Sequence, residues 1–390
     1  MGDYPVDALG GLTPLQAAAA PTLRQIAGLG ETRLVSTVPE GMAPGSDVAN
    51  LALLGYDAAE NYTGRAAIEA AGADVELRPT EVAFRCNLVT VAAGTMDDYS
   101  AGHISTEEGE ELIRALEEAL GRDGLRFRPG VQYRHLLLWD DGPDACVCEP
   151  PHEFTDKPVA EHSPSGPRAD EVAALMERSK AVLADHPVNR RRVAEGKKPA
   201  TQIWLWGQGK AMRLESYESL YGLKGGVISA VDLLKGIAKL AGLKAPLVEG
   251  ATGFVDTDYA GKVAAALDLL ERDGFAFVHV EAPDECGHLG DARLKTEAIG
   301  AFDRNVVEPI YRRLEAWGEP YLLLLCTDHR TPVSLKGHTA EPVPMTVLRG
   351  PTGQREGQAP FDETVDDGIV RCRACDWIRE TLKNPEAVAD

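Results

Sequence analysis

Apolar positions along this chain follow a helical rhythm in some stretches and an alternating or continuous strand rhythm in others. Leu23 and Ile26 mark one face of a short helix over 21–28, opened by Pro21. A β-rich run follows at 33–38, then a Pro- and Gly-containing loop at 40–45. Ser46 opens an apolar helical stretch, 48–54, closed by Gly55. From about Arg65 the texture changes. Residues 75–79 and 82–91 predict strands. Ser105, Thr106, Glu107 and Glu108 form a capping-box start for a helix carrying Leu112, Ile113, Leu116 and Leu120. Another strand is predicted at 131–139, and Pro150, Pro151, Pro158, Pro164, Gly166 and Pro167 mark a linker or long loop.

After residue 170, short apolar strands are predicted at 203–206, 275–280 and 321–326, with helices at 229–240, 260–270 and 296–317. Such alternation predicts an α/β fold with a mainly parallel sheet covered by helices on both faces. The simplest organisation is one domain, 1–64 with 173–390, interrupted by an inserted α+β domain at 65–172.

Composition narrows the function. The 390 residues are 44% hydrophobic and 26% charged, which excludes disorder as the main state. Forty basic against 61 acidic residues leave a net charge of −21, which repels nucleic acid and anionic lipid. A small anionic substrate must therefore be met by a local cluster of cations or by a metal. No apolar run reaches the roughly 20 residues of a membrane helix. The opening Met1–Val6 carries neither a basic segment nor an apolar one, so it is no secretion signal, and Val6 breaks the myristoylation pattern. Seven scattered cysteines read as reduced thiols in the cytoplasm, with Cys146/Cys148 and Cys372/Cys375 structural rather than zinc-binding.

Two strand ends carry the clearest chemistry. The strand at 275–280 runs into Asp284 and His288, and that at 321–326 runs into Asp328 and His329, with His338 nine residues beyond. Ligands of parallel sheets bind beyond the carboxyl ends of strands. Carboxylate and imidazole together suit Mn²⁺, Zn²⁺, Co²⁺ or Mg²⁺. Asp284 and His288, four apart, share a face on one helical turn. Adjacent Asp328 and His329 are expected on different sides of a strand end, serving two metals or one metal and its surroundings. Ser46 follows a Gly-containing loop and opens an apolar helix. It reads either as an N-cap or as a hydroxyl whose phosphate ester would lie at a helix N-terminus. Arg65, Arg85, Arg134, His135 and Lys224 are candidate anion-binding cations.

Taken together, Leu12–Leu15, Pro44–Asp47, Leu53–Asp57, Tyr62–Arg65, Phe84–Asn87, Tyr133–His135 and Thr327–His329 resemble the archaeal-type cofactor-independent phosphoglycerate mutases, members of the alkaline phosphatase-like metalloenzymes. The resemblance covers nearly the whole chain. It implies that Ser46 is the nucleophile that becomes phosphoserine. It also implies that Asp284, His288 and His338 hold one divalent metal, and that Asp328, His329 and Ser46 hold a second. Arg65, Arg85, Arg134, His135 and Lys224 would bind substrate, partly from the inserted domain. The implied activity is interconversion of 3- and 2-phosphoglycerate, with two divalent ions, Mn²⁺ foremost, and no 2,3-bisphosphoglycerate. Alternatives are a phosphohydrolase or phosphotransferase on another small phosphorylated metabolite, including a homoserine-kinase-like role, and a catalytically impaired paralogue. Association into a homo-oligomer is compatible with either.

One departure from the family pattern stands at the start. Relatives open with an apolar strand ending in Asp-Gly-Met-Gly-Asp, whose first Asp is a ligand of the second metal. Met1-Gly2-Asp3 matches only the tail of that motif, so a first strand and one ligand are expected to be missing, as from a misassigned start. A chain extended upstream should be more stable and more active than this one in a mutase assay; equal turnover would contradict that expectation.

Overall fold

The computed structural model describes residues 1–364 and 372–386. Two compact units emerge: Met1–Tyr62 with Leu214–Asp390, and Thr63–Arg213. The expected boundary at 172/173 falls inside the Ala169–Ala184 helix of the second unit.

In the first unit the strands are β1 (Glu31–Ser36), β7 (Lys224–Ile228), β8 (Gly274–Val278), β9 (Tyr321–Cys326), β10 (Val343–Gly350) and β11 (Cys372–Arg373); β2 to β6 belong to the second unit. They form a four-stranded sheet ordered β11-β1-β10-β9 and a separate parallel pair β7-β8. This corrects the expectation of one mainly parallel sheet, because β1–β10 and β10–β9 are antiparallel. The cause is the connection. Residues 327–342 join β9 to β10 without a helical crossover, so β10 returns in the opposite direction. Although β8 and β9 are unpaired, they share apolar layers. Ala276 and Val278 pack with Tyr321 and Leu323 in one cluster, and Phe277 packs with Leu322 and Leu324 in another.

Alternation along the strands feeds both faces. Leu325 and Leu348 meet Leu23 and Ile26 of the Pro21–Leu29 helix and Tyr311 of the Glu308–Trp317 helix. Val343, Met345 and Val347 meet Ala52, Leu53, Trp377 and Ile378 on the other side. The helix expected over 296–317 is present as a continuous helical run, Ala292–Phe302 and Glu308–Trp317 joined through a wider π turn, Asp303–Val307. Pro309 has no N–H to continue a regular ladder, and the buried Asp303 carboxylate instead accepts from the N–H groups of Thr22 and Leu23, capping the neighbouring helix.

The second unit is built on β2 (Glu81–Ala92), the longest strand. It pairs with β3 (Thr95–Asp98), β5 (Arg134–Asp140) and β6 (Gln202–Lys210), and β5 pairs with β4 (Leu125–Arg128), all antiparallel. Residues 75–79 are not a strand. One face of β2 (Val82, Phe84, Cys86, Leu88) packs under the Thr106–Leu120 and Ala169–Ala184 helices. The other, through Ala83 with Leu136 and Leu138, meets Ala66 and Ala70 of the Arg65–Gly72 helix.

The amino-terminal segment is pinned inside the first unit. Fully buried Lys295 donates to Asp3 Oδ2 and to the carbonyls of Gly2 and Thr331, each at 2.8 Å. Asp3 also accepts from Val333 N–H. This holds the loop after β9 that carries His329 and His338. Removing one partner of such a pair leaves a buried charge uncompensated. Asp3→Ala should lower unfolding stability by about 3 kcal/mol, measured by urea denaturation; an unchanged midpoint would contradict that role.

Candidate active site

The first cluster forms where β8 hands over to the short Ala282–Leu289 helix. Pro283 starts this helix and Gly290, in the left-handed region, ends it. Asp284 and His288 fall on one face, and His338 reaches them from the β9–β10 loop. His288 Nε2 lies 3.2 Å from Asp284 Oδ2, and His338 Nε2 lies 3.4 Å from Asp284 Oδ1. The two imidazole Nε2 atoms are 3.0 Å apart. One ligand atom from each of the three residues lies within 4.8 Å of the others. His288 Nδ1 is 3.0 Å from the Lys336 carbonyl, to which it donates, so the ring presents Nε2 inward. Burial alone would raise the Asp284 carboxyl, but hydrogen bonds from His288 and His338 and nearby imidazole charge hold it well below the carboxylate range. Its hydrogen bond with Asp284, against desolvation, pushes His288 up to about 9.

Ser46 lies beside this cluster. It is the first residue of the Ser46–Leu53 helix, whose N-cap is Gly45. The hydroxyl is therefore not the cap of its helix. It is buried, with Oγ 3.1 Å from His329 Nε2. His329 Nε2 in turn lies 3.3 Å from Asp328 Oδ2. The expectation that Asp328 and His329 diverge is corrected: strand alternation stops with β9 at Cys326, and the loop turns both side chains toward one place. Burial pushes His329 down, and the same burial at Asp328 is outweighed by His329 and by the chain's amino terminus, which hold that carboxyl below its ordinary value. The two groups are contiguous, since the His329 and His338 ring centroids are 4.0 Å apart.

Two side chains not anticipated from the sequence complete this region. Asn50 Nδ2 donates to the Ser46 carbonyl at 2.8 Å and to Asp328 Oδ2 at 3.4 Å; its place four residues after Ser46 was the available signal. Thr331 bonds Asp284 and lies 3.2 Å from His329 Nδ1; no motif marked it.

The candidate cations divide differently. In the second unit, Arg85 lies over the Trp206 ring at 4.2 Å and Arg65 over the same ring at 5.8 Å. Burial pushes the Arg85 guanidinium down to about 10. Arg134 is exposed, above the Tyr133 ring. His135, the next residue on β5, faces the core instead. Its buried Nδ1 accepts from Gly130 N–H at 2.9 Å, which is the work of a structural imidazole holding a turn. Desolvation holds it down at about 3. Lys224 stands at the start of β7, away from the carboxyl-end cluster. It is 66% exposed and paired with Glu218 at 3.0 Å, so the structure does not bring it to the site. Cys146 and Cys148 sit with sulfurs 3.7 Å apart, and all seven cysteines are free. No described helix is long and apolar enough to cross a membrane.

Mixed α/β architecture with a carboxylate–imidazole cluster beside a buried serine defines a class suited to metal-assisted group transfer. A family described as 2,3-bisphosphoglycerate-independent phosphoglycerate mutase matches residues 27–189. The chain is 50% identical over 367 residues to a probable 2,3-bisphosphoglycerate-independent phosphoglycerate mutase of Geobacter sulfurreducens, covering 93% of this chain and 92% of that protein. It is 51% identical over 347 residues to the mutase of that description from Methanothrix thermoacetophila, covering 89% and 88%. Its fold resembles the solved PH0037 protein of Pyrococcus horikoshii, with a TM-score of 0.79 and 27% identity over 100% and 96% of the two chains. The chain belongs to the 2,3-bisphosphoglycerate-independent phosphoglycerate mutase family.

A metal ion binding Asp284, His288 and His338 must displace the proton that His288 holds up to about pH 9. Mn²⁺ affinity of the metal-free protein should therefore rise about tenfold per pH unit from about pH 7 to 9 and then level off. Titration calorimetry measures this, and a flat affinity across that range would contradict it.

Proposed function

We propose that this chain interconverts 3-phosphoglycerate and 2-phosphoglycerate in the cytoplasm through a phosphoserine at Ser46, without 2,3-bisphosphoglycerate. The observation that carries the reading is the placing of Ser46 Oγ 3.1 Å from His329 Nε2, in a buried setting contiguous with Asp284, His288 and His338. Membership of the mutase family supports it. We extend the same reading to the superfamily, taking the first unit as alkaline phosphatase-like and the second as an insertion that carries substrate-binding cations.

The donor set fits divalent metal. Three ligand atoms converge, and the Lys336 carbonyl fixes one imidazole with Nε2 available. Asp284, His288 and His338 would hold one ion, and Asp328, His329 and the Ser46 oxygen a second, with Mn²⁺ foremost. Bound there, divalent cations supply Lewis acidity that activates a hydroxyl and neutralises phosphoryl oxygens. The protein's own part is as follows. Asn50 fixes the Ser46 turn against Asp328. Ser46 Oγ forms a bond to phosphorus as the bond to the 3-oxygen of the substrate breaks. Glycerate stays bound and reorients, its 2-hydroxyl attacks the phosphoserine, and Ser46 is released. Arg65, Arg85 and Arg134 meet the anionic groups of the substrate by charge-assisted hydrogen bonds. Water must be kept from the phosphoserine, or the reaction ends as hydrolysis.

In a coupled assay with Mn²⁺, the protein should convert 3-phosphoglycerate without net phosphate release. Ser46→Ala should lower turnover by at least about 10³-fold. Mass spectrometry of substrate-treated protein should find phosphate on Ser46. Phosphate release without 2-phosphoglycerate would instead indicate a hydrolase, and full activity of Ser46→Ala would overturn the mechanism.

A further inference from the structure

We propose that Glu69 is a positioning residue that aligns Arg65 and Arg85 to receive an anionic group of the substrate. This rests on the mutase reading and adds a residue to which that reading gives no part. Glu69 follows Arg65 by one helical turn, and its two carboxylate oxygens are divided between the two cations. Oε1 lies 2.9 Å from Arg65 Nε, and Oε2 lies 2.9 Å from Arg85 Nε. Arg65 Nε donates to Oε1, and the Arg85 contact is an ion pair without an aligned Nε hydrogen bond, so one carboxylate bridges two guanidinium groups over the same Trp206 ring. The ring is itself fixed, since Trp206 Nε1 donates to the buried Asn87 Oδ1 at 3.2 Å.

The backbone is shaped for this grouping. A β-bulge shifts the β2–β6 register between Ala83 and Arg85, and Gly207 at φ +61 turns the strand beneath the arginines. Gly64, at φ +143, brings the start of the Arg65–Gly72 helix against β6. A Cβ on Gly64 would fall 1.9 Å from the Gln208 carbonyl oxygen, and one on Gly209 would fall 2.6 Å from that of Thr63. The helix carrying Arg65 and Glu69 is thus locked to the strand carrying Trp206.

Charge alone and geometry alone make opposite forecasts. Glu69→Gln removes a negative charge beside two arginines, so simple electrostatics would tighten binding of an anion. Loss of alignment would weaken it. We expect KM for 3-phosphoglycerate to rise about tenfold in Glu69→Gln, with kcat changed less than about twofold. Glu69→Asp, which keeps the charge but shortens the reach, should give a smaller rise. Tryptophan fluorescence titration with 3-phosphoglycerate should show the same loss of affinity in Glu69→Gln, read from folded protein whatever its turnover. An unchanged or lowered KM, or unaltered binding by fluorescence, would overturn the proposal. Absence of mutase turnover in the wild-type chain would instead overturn the functional reading, while the fluorescence titration would still decide the part played by Glu69.

Discussion

A buried carboxylate and two imidazole nitrogens held within ligand distance of one another form the constraint on which this site depends. Asp284 and His288 come from one helical turn, but His338 comes from the loop beyond β9. The two Nε2 atoms lie 3.0 Å apart, and the hydrogen bond with Asp284, against desolvation, pushes His288 up to about 9. The surroundings oppose relaxation. The Lys336 carbonyl fixes one ring, Thr331 bonds Asp284, and the Lys295–Asp3 pair anchors the loop that delivers His329. The geometry of the cluster is thereby built into the fold, which is the condition that tight metal binding and electrostatic catalysis require.

The serine is positioned by a different device. Gly45 takes the cap of the Ser46–Leu53 helix, which releases the Ser46 hydroxyl from the usual duty of a serine at such a place. Oγ can then face His329, and Asn50 ties the same turn to Asp328. A residue that would ordinarily stabilise a helix end becomes available for chemistry because its neighbour lacks a side chain.

Residues whose placement depends on local periodicity were legible in the sequence. Asp284 and His288 at a four-residue interval needed only helical geometry, whereas His338, in the β9–β10 loop, was placed with them by the family resemblance. Long-range pairing was less legible. Nothing in the apolar run of β9 specified that β10 would return antiparallel, because that depends on a loop that lacks a crossover helix. The Asp328–His329 expectation failed where the strand ended two residues before the pair. His135 and Lys224 are placed by simpler rules. The first lies one residue from Arg134 on β5 and so takes the opposite face, and the second stands at the start of β7, paired with Glu218. Glu69, one helical turn after Arg65, carried no signal in the sequence, because its second partner, Arg85, is brought to it only by the fold.

Anomalous diffraction from crystals of the protein grown with Mn²⁺, collected at the manganese absorption edge, tests the central claim most directly. A peak bonded to an Asp284 carboxylate oxygen and to the Nε2 atoms of His288 and His338 is the expected result. Ordered protein with no anomalous peak at those three atoms, at saturating Mn²⁺ and a pH above 9, would contradict it.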